Sequence, residues 1–149
     1  MQVVDFRPEH VREIDLRAFD RLVTDLYEED LAEACERYAR QGPVKTGITE
    51  DGQVVAIVGI WPQPGREGYG MAWALTSPLI RRFPKSVHKA VRDWFPRFVA
   101  EHGFRVVETL VHRHHYRGQE WVKRLGFRYR GIILGPDGLS SYFLYYKEL

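Results

Sequence analysis

A chain of 149 residues with 44% hydrophobic content is long enough for one domain, spanning 1–149, with one ordinary core. Its net charge of +2 excludes a bulk electrostatic attraction to nucleic acid, so any anion site has to be local. The single cysteine, Cys35, excludes an internal disulfide framework and fits a reducing compartment. It falls in a helical pattern with Leu31, Ala34 and Tyr38, as a core residue rather than a nucleophile. The opening residues Met1–Glu9 hold no apolar run of the kind a secretory leader needs, and no stretch is apolar for long enough to span a bilayer. A cytoplasmic protein without membrane association is expected.

In chain order, Val3-Val4-Asp5-Phe6 reads as a short strand stopped by Arg7-Pro8. Helical spacing follows at Val11, Ile14, Ala18, Phe19, Leu22, Val23, Leu26 and Tyr27, and the acidic Glu28-Glu29-Asp30 divides this from a second helix capped by Asp30. That helix stops at Gln41-Gly42-Pro43. Two strands, Val44–Thr49 and Gln53–Trp61, flank Glu50-Asp51-Gly52 as a hairpin, and a loop rich in Pro and Gly leads to a strand at Tyr69–Thr76. A long helix with an apolar stripe at Val87, Ala90, Val91, Trp94, Phe95, Phe98 and Val99 carries Pro96 inside it as an expected kink and ends at Gly103. A strand at Arg105–Val111, a short helix, and a hairpin of Phe127–Leu134 with Ser140–Lys147 complete the order β-α-α-β-β-β-α-β-α-β-β.

The stretch between Trp73 and Phe127 carries the chemistry. A strand runs through Thr76-Ser77-Pro78 into the basic turn Arg81-Arg82-Phe83-Pro84-Lys85-Ser86 and then into a helix, an arrangement able to hold a phosphorylated cofactor. The turn lacks the glycines that usually let backbone N–H groups approach a phosphate. His112-Arg113-His114-His115 places two imidazoles on one strand face, but no Cys or carboxylate at a suitable spacing completes a ligand set, and no metal is expected. The same run joins Arg117, Lys123, Arg124, Arg128 and Arg130 in a basic patch. Without a stacking platform it reads as a phosphate-facing or solvated surface rather than a nucleic-acid site.

With this element order, the chain resembles the GNAT (Gcn5-related N-acetyltransferase) superfamily along essentially its whole length. Trp121-Val-Lys-Arg-Leu-Gly-Phe127 is similar to the family's helix-to-strand ending, and Ser77-Pro78 followed by Arg81 falls where the family has a Pro and then its Arg/Gln-x-x-Gly-x-Gly/Ala loop. The Trp-x-x-Thr-Ser strand end and the short helix closing on a Gly turn are also similar to small GNAT-like proteins of T7-type bacteriophages. The resemblance implies an α/β (α+β) fold: a mixed, mostly antiparallel sheet of about seven strands flanked by about four helices. It also implies acetyl-CoA as cosubstrate, an amine of a small molecule or protein as acceptor, and Thr76, Ser77, Leu79, Arg81, Arg82, Lys85 and Ser86 as the donor-binding residues.

Mapped onto the family loop, Pro84 takes the first glycine position and removes an N–H, whereas Ser86 takes the second, keeps its N–H and could cap the helix. Arg81, Arg82 and Lys85 offer charge-assisted bonds in compensation. In the short helix the family's Asn, small residue and Tyr correspond to His115, Gly118 and Val122. Gly118 keeps the room for a passing pantetheine, but Val122 cannot donate a proton. Tyr116 or His115 is then the nearest acid, and the base is Glu108 or a carboxylate acting through water. The alternative function is a non-catalytic GNAT-fold protein of phage or prophage, in the host cytoplasm or the virion, working through a protein partner or a homodimer.

Overall fold

The computed structural model describes residues 1–17, 30–135 and 137–149. The helical positions expected from Ala18 to Tyr27, the expected break at Glu28-Glu29, and Pro136 of the last turn lie outside the described residues. The order is β1 (Gln2–Asp5), α1 (Pro8–Glu13), α2 (Leu31–Gln41), β2 (Val44–Ile48), β3 (Val54–Pro62) and β4 (Tyr69–Thr76), then a 3-10 turn (Pro78–Arg82) and α3 (Pro84–His102). β5 (Val106–His112), α4 (Tyr116–Arg124), β6 (Arg128–Leu134) and β7 (Ser141–Glu148) complete the chain. Among the described residues one sheet of seven strands runs β1-β2-β3-β4-β5-β7-β6, and only β4 and β5 pair in parallel.

The expected elements form for local reasons. α1 opens on Pro8, which fits the first helical position because its missing N–H would have no partner there. The buried His10 fastens that turn: its Nδ1 accepts the Arg7 N–H at 3.1 Å and the Thr46 hydroxyl at 2.9 Å. Asp30 caps α2 as expected, accepting the Glu33 N–H at 3.0 Å. Gly103 ends α3 at φ 69°, a left-handed turn that a side chain would strain, and Pro96 lies inside that helix without ending it.

Two expectations are corrected. The first helix does not run on from Glu9 through Ile14, since α1 stops at Glu13 and Ile14 is extended at ψ 132°. The reason is tertiary: Ile14 turns into the core beside Val11, and the Arg17 N–H is drawn to the Thr76 carbonyl at 3.0 Å. Ser86 does not cap α3 either. Phe83 holds the cap position and Pro84 follows it, so Ser86 falls inside the first turn.

The sheet is covered on both faces. Val11, Ile14, Ala32 and Cys35 from α1 and α2 pack on Val44, Ile57 and Leu75, while Phe98 and Val122 from α3 and α4 pack with Ile60, Val107, Val111 and Tyr145 on the other face. Alternation along β3 makes this possible, with Ile57 and Ile60 pointing to opposite layers.

A buried carboxylate fixes the closed half of the β4–β5 seam. Glu108, 3% exposed, receives Gln63 Nε2 at 2.8 Å and Arg66 Nη1 at 2.6 Å on Oε1, and Arg130 Nη1 at 3.2 Å on Oε2. The two guanidinium groups lie over the rings of Tyr69 and Tyr146 at 4.0 and 4.1 Å. Burial pushes the carboxyl pKa up, but the bonds from Gln63, Arg66 and Arg130 outweigh it and hold the group below its usual range. Its stabilisation is therefore full above the unfolded-state pKa and is lost as pH falls through the folded one. Glu108→Gln is expected to cost about 2–3 kcal/mol at neutral pH, less than a fully buried pair because both arginines reach solvent. In urea titrations the wild-type and variant curves should converge in acid.

Candidate functional site

The seam between β4 and β5 closes at one end and opens at the other. Tyr69, Gly70, Met71 and Ala72 pair with Val106, Val107, Glu108 and Thr109, and the Thr109 hydroxyl donates to the Ala72 carbonyl at 2.9 Å where the pairing stops. Beyond it, Trp73 to Thr76 stay with β3, whereas Leu110, Val111 and His112 stay with β7. The two strands part, and a cavity of about 790 Å³ occupies the fork, lined by both strand ends and by α3 and α4. This is within the range of small-molecule sites.

Its walls are apolar and cationic. Among the described residues, Arg17, Lys45, Arg81, Arg117 and Arg124 line it against a single carboxylate, Glu120. A locally positive cleft thus exists in a chain whose total charge is close to balance. Trp73 forms part of the wall and lies on Gly59, where a Cβ would sit 2.7 Å from its ring; its Nε1 is buried and has no hydrogen-bond partner among the described residues.

The donor-binding residues expected from sequence divide here. Thr76 and Arg81 line the cavity. Arg82, Lys85 and Ser86 lie exposed where the 3-10 turn meets α3. At that junction the Phe83 N–H goes to Ile80 and the Val87 N–H to Phe83, so the first-turn N–H groups of Lys85 and Ser86 have no acceptor within the helix. Ser77 is 1% exposed and gives both its N–H and its hydroxyl to the Val55 carbonyl, each at 3.0 Å. It locks the bend after β4 instead of facing the cavity. Leu79 packs against Val55, Ala56 and Val87.

His115 and Tyr116 both line the fork, at the start of α4. The turn that carries them is tied to the end of β5: His115 N–H reaches the His112 carbonyl at 2.9 Å, and the buried Gln119 amide donates to the carbonyls of His112 and Arg113 at 3.2 and 2.8 Å. Burial first, then the charges of Arg17 and His112, hold the His115 pKa below the ordinary 6.5, which keeps its imidazole neutral at pH 7. Tyr116 is 67% exposed. His112, also held low by burial and by its cationic neighbours, accepts the His114 N–H on Nδ1 at 3.1 Å. Its neutral form therefore carries the proton on Nε2.

Two expectations are redirected. Glu108 is outside the cavity lining, and both its oxygens are taken by cations, so it is not brought to the fork as a base. The space above Gly118 is filled by the His115 ring, whose Cδ2 would lie 2.7 Å from an added Cβ. Val122, at the family's tyrosine position, is a core residue 8% exposed. Sequence reasoning passed over Arg17, which has no local motif and reaches the fork because the chain leaves α1 in an extended form. Among the described residues no three His, Cys, Asp or Glu side chains converge as a metal site.

No protein-family model matches the chain, and no curated protein sequence matches it. Solved structures do. A GNAT superfamily phosphinothricin acetyltransferase from Sinorhizobium meliloti in complex with acetyl-CoA aligns with TM-score 0.69 and 15% identity over 99% of this chain and 88% of that one. A GCN5-related N-acetyltransferase from Kribbella flavida aligns at 0.70 and 18%, over 99% and 97%. An aminoglycoside 6′-N-acetyltransferase complexed with coenzyme A aligns at 0.71 and 14%, again over 99% and 97%. What the chain shares with them is the GNAT fold.

The Gly118–His115 contact can be checked directly. Gly118→Ala should drive the imidazole towards solvent and raise its pKa towards the ordinary histidine value, followed by NMR titration of the ring. The crowding cost of about 1–3 kcal/mol is partly offset by about 1 kcal/mol of better helix propensity.

Proposed function

We propose that the chain is an acetyl-CoA-dependent N-acetyltransferase acting on an amine of a small molecule or protein, with the acyl donor seated in the β4–β5 fork. The observation that carries this reading is the parting of the parallel β4–β5 pair at Ala72 and Thr109 over a cationic cavity of about 790 Å³. Acetyl-CoA bound there supplies the activated thioester. Thr76 and the neighbouring β4 backbone face the pantetheine. Arg81, with Arg82 and Lys85 in the same turn, provides charge for the phosphates, and the Lys85 and Ser86 N–H groups point from the start of α3. Ser77 and Leu79 hold the bend that brings Arg81 into place.

His115 is the candidate base, a neutral imidazole in the fork that takes a proton from the acceptor ammonium. The freed amine attacks the carbonyl carbon, its nitrogen then gives up a second proton to solvent, and the C–S bond breaks. The Tyr116 hydroxyl lines the same cavity and is the candidate donor of the proton that the departing sulfur requires. Glu108 takes a structural part in this scheme.

Acetyl-CoA should raise the melting temperature by mass action, and an amine panel should release free coenzyme A. Arg81→Ala is expected to raise KM for acetyl-CoA roughly tenfold, the equivalent of one charge-assisted bond. His115→Ala should lower kcat by about 10²–10⁴. Because His115 must be neutral, the rate should fall in acid with a midpoint below 6.5. A second reading, a non-catalytic scaffold that works through protein contacts, draws on Pro84, which offers no N–H, and on the core position of Val122. Absence of both the thermal shift and coenzyme A release would favour that scaffold.

A further inference from the structure

The large apolar side chains that reach solvent are concentrated at one edge of the sheet. Tyr129, Ile132, Ile133 and Leu134 of β6, with Leu139 of the following turn, are 52%, 60%, 41%, 62% and 86% exposed. β6 is the terminal strand, paired only with β7, so its outer row of backbone N–H and C=O groups has no strand partner among the described residues. Its register sets Ile132 beside Phe143 and Leu134 beside Ser141 on one face, and Ile133 beside Tyr142 on the other. The strand therefore presents apolar side chains on both faces, and neither helical layer covers them. The opposite edge differs. β1 is four residues long and ends on exposed Gln2 and Asp5.

We propose that β6 is the surface on which a second copy of this chain adds, antiparallel, about a two-fold axis through Ile133, joining the two sheets into one. In an antiparallel pair, facing residues share a face, so a two-fold axis must pass through a residue and its own copy. Centred on Ile133, the register places Ile132 against Leu134 of the second copy and Gly131 against its Gly135. The apolar segment then meets itself. Arg128, at the start of the strand, arrives beside the second copy's turn, which carries Asp137, whereas Arg130 stays with Glu108. Asp137 is exposed, and hydrogen bonds from Ser140 and the Leu139 amide favour its charged form. Arg128 has no ion pair among the described residues, so the contact supplies one to it. An axis through Ile132 would instead set Arg130 against Leu134. This inference is independent of the acetyl-transfer reading.

Sedimentation velocity on the full chain should give a mass twice that of one chain. The double variant Ile132→Glu with Leu134→Glu should give that of one chain, with the near-UV spectrum unchanged because both positions are exposed. Ile133→Cys should form an intermolecular disulfide under mild oxidation, reversed by reductant, while Gln2→Cys on the far edge should not. Cys35 adds no background, being 1% exposed. A wild-type chain that sediments as a monomer at every concentration loaded overturns the proposal. So does a dimer that survives the double variant, or an Ile133→Cys dimer that fails to cross-link.

Discussion

One strand pairing governs the arrangement of this molecule. β4 and β5 are the only parallel neighbours among the described residues, and parallel strands need a long crossover, which α3 provides. That pairing is four residues long and stops while both strands continue. Each strand keeps its other neighbour, so neither frays. Backbone hydrogen bonding holds the two halves of the sheet separately, and the gap between them persists as part of the fold. Closure at the Glu108 end and opening at the Thr76 end are therefore two aspects of one constraint.

The two ends use charge in opposite ways. At the closed end a carboxylate collects two guanidinium groups and an amide, satisfying its oxygens within the protein. At the open end cations outnumber carboxylates among the described lining residues. A nearly neutral chain thereby holds a local positive field, which the total charge alone does not reveal. The same field, together with burial, favours neutral imidazoles at His112 and His115.

Much of the architecture was legible because it depends on short-range pattern. The strands and turn signals of β2, β3 and β7, the stripe of α3, the Asp30 cap and the Gly103 stop are local signals, and they recur in the structure. The site was legible only in part. Arg81 and the His115–Tyr116 turn could be placed from the elements that flank them. Glu108 could not, because its environment depends on Arg66 and Arg130, which are 42 and 22 residues away along the chain. The end of α1 was hidden for a similar reason: the helical period continues through Ile14, while a hydrogen bond from Arg17 to β4 overrides it. Ser77 was recognised as part of the right segment, but its side chain turns inward to Val55, a choice set by the neighbouring strand.

Gly59 and Trp73 sit opposite each other on β3 and β4, the glycine leaving the space into which the indole lies. Neither residue can change independently. Enlarging Gly59 would displace the ring from the wall of the fork, and shrinking Trp73 would leave a void beside a strand with no side chain to fill it. Drift among descendants of this sequence should treat the two positions as a single inherited unit, with the width of the fork depending on both.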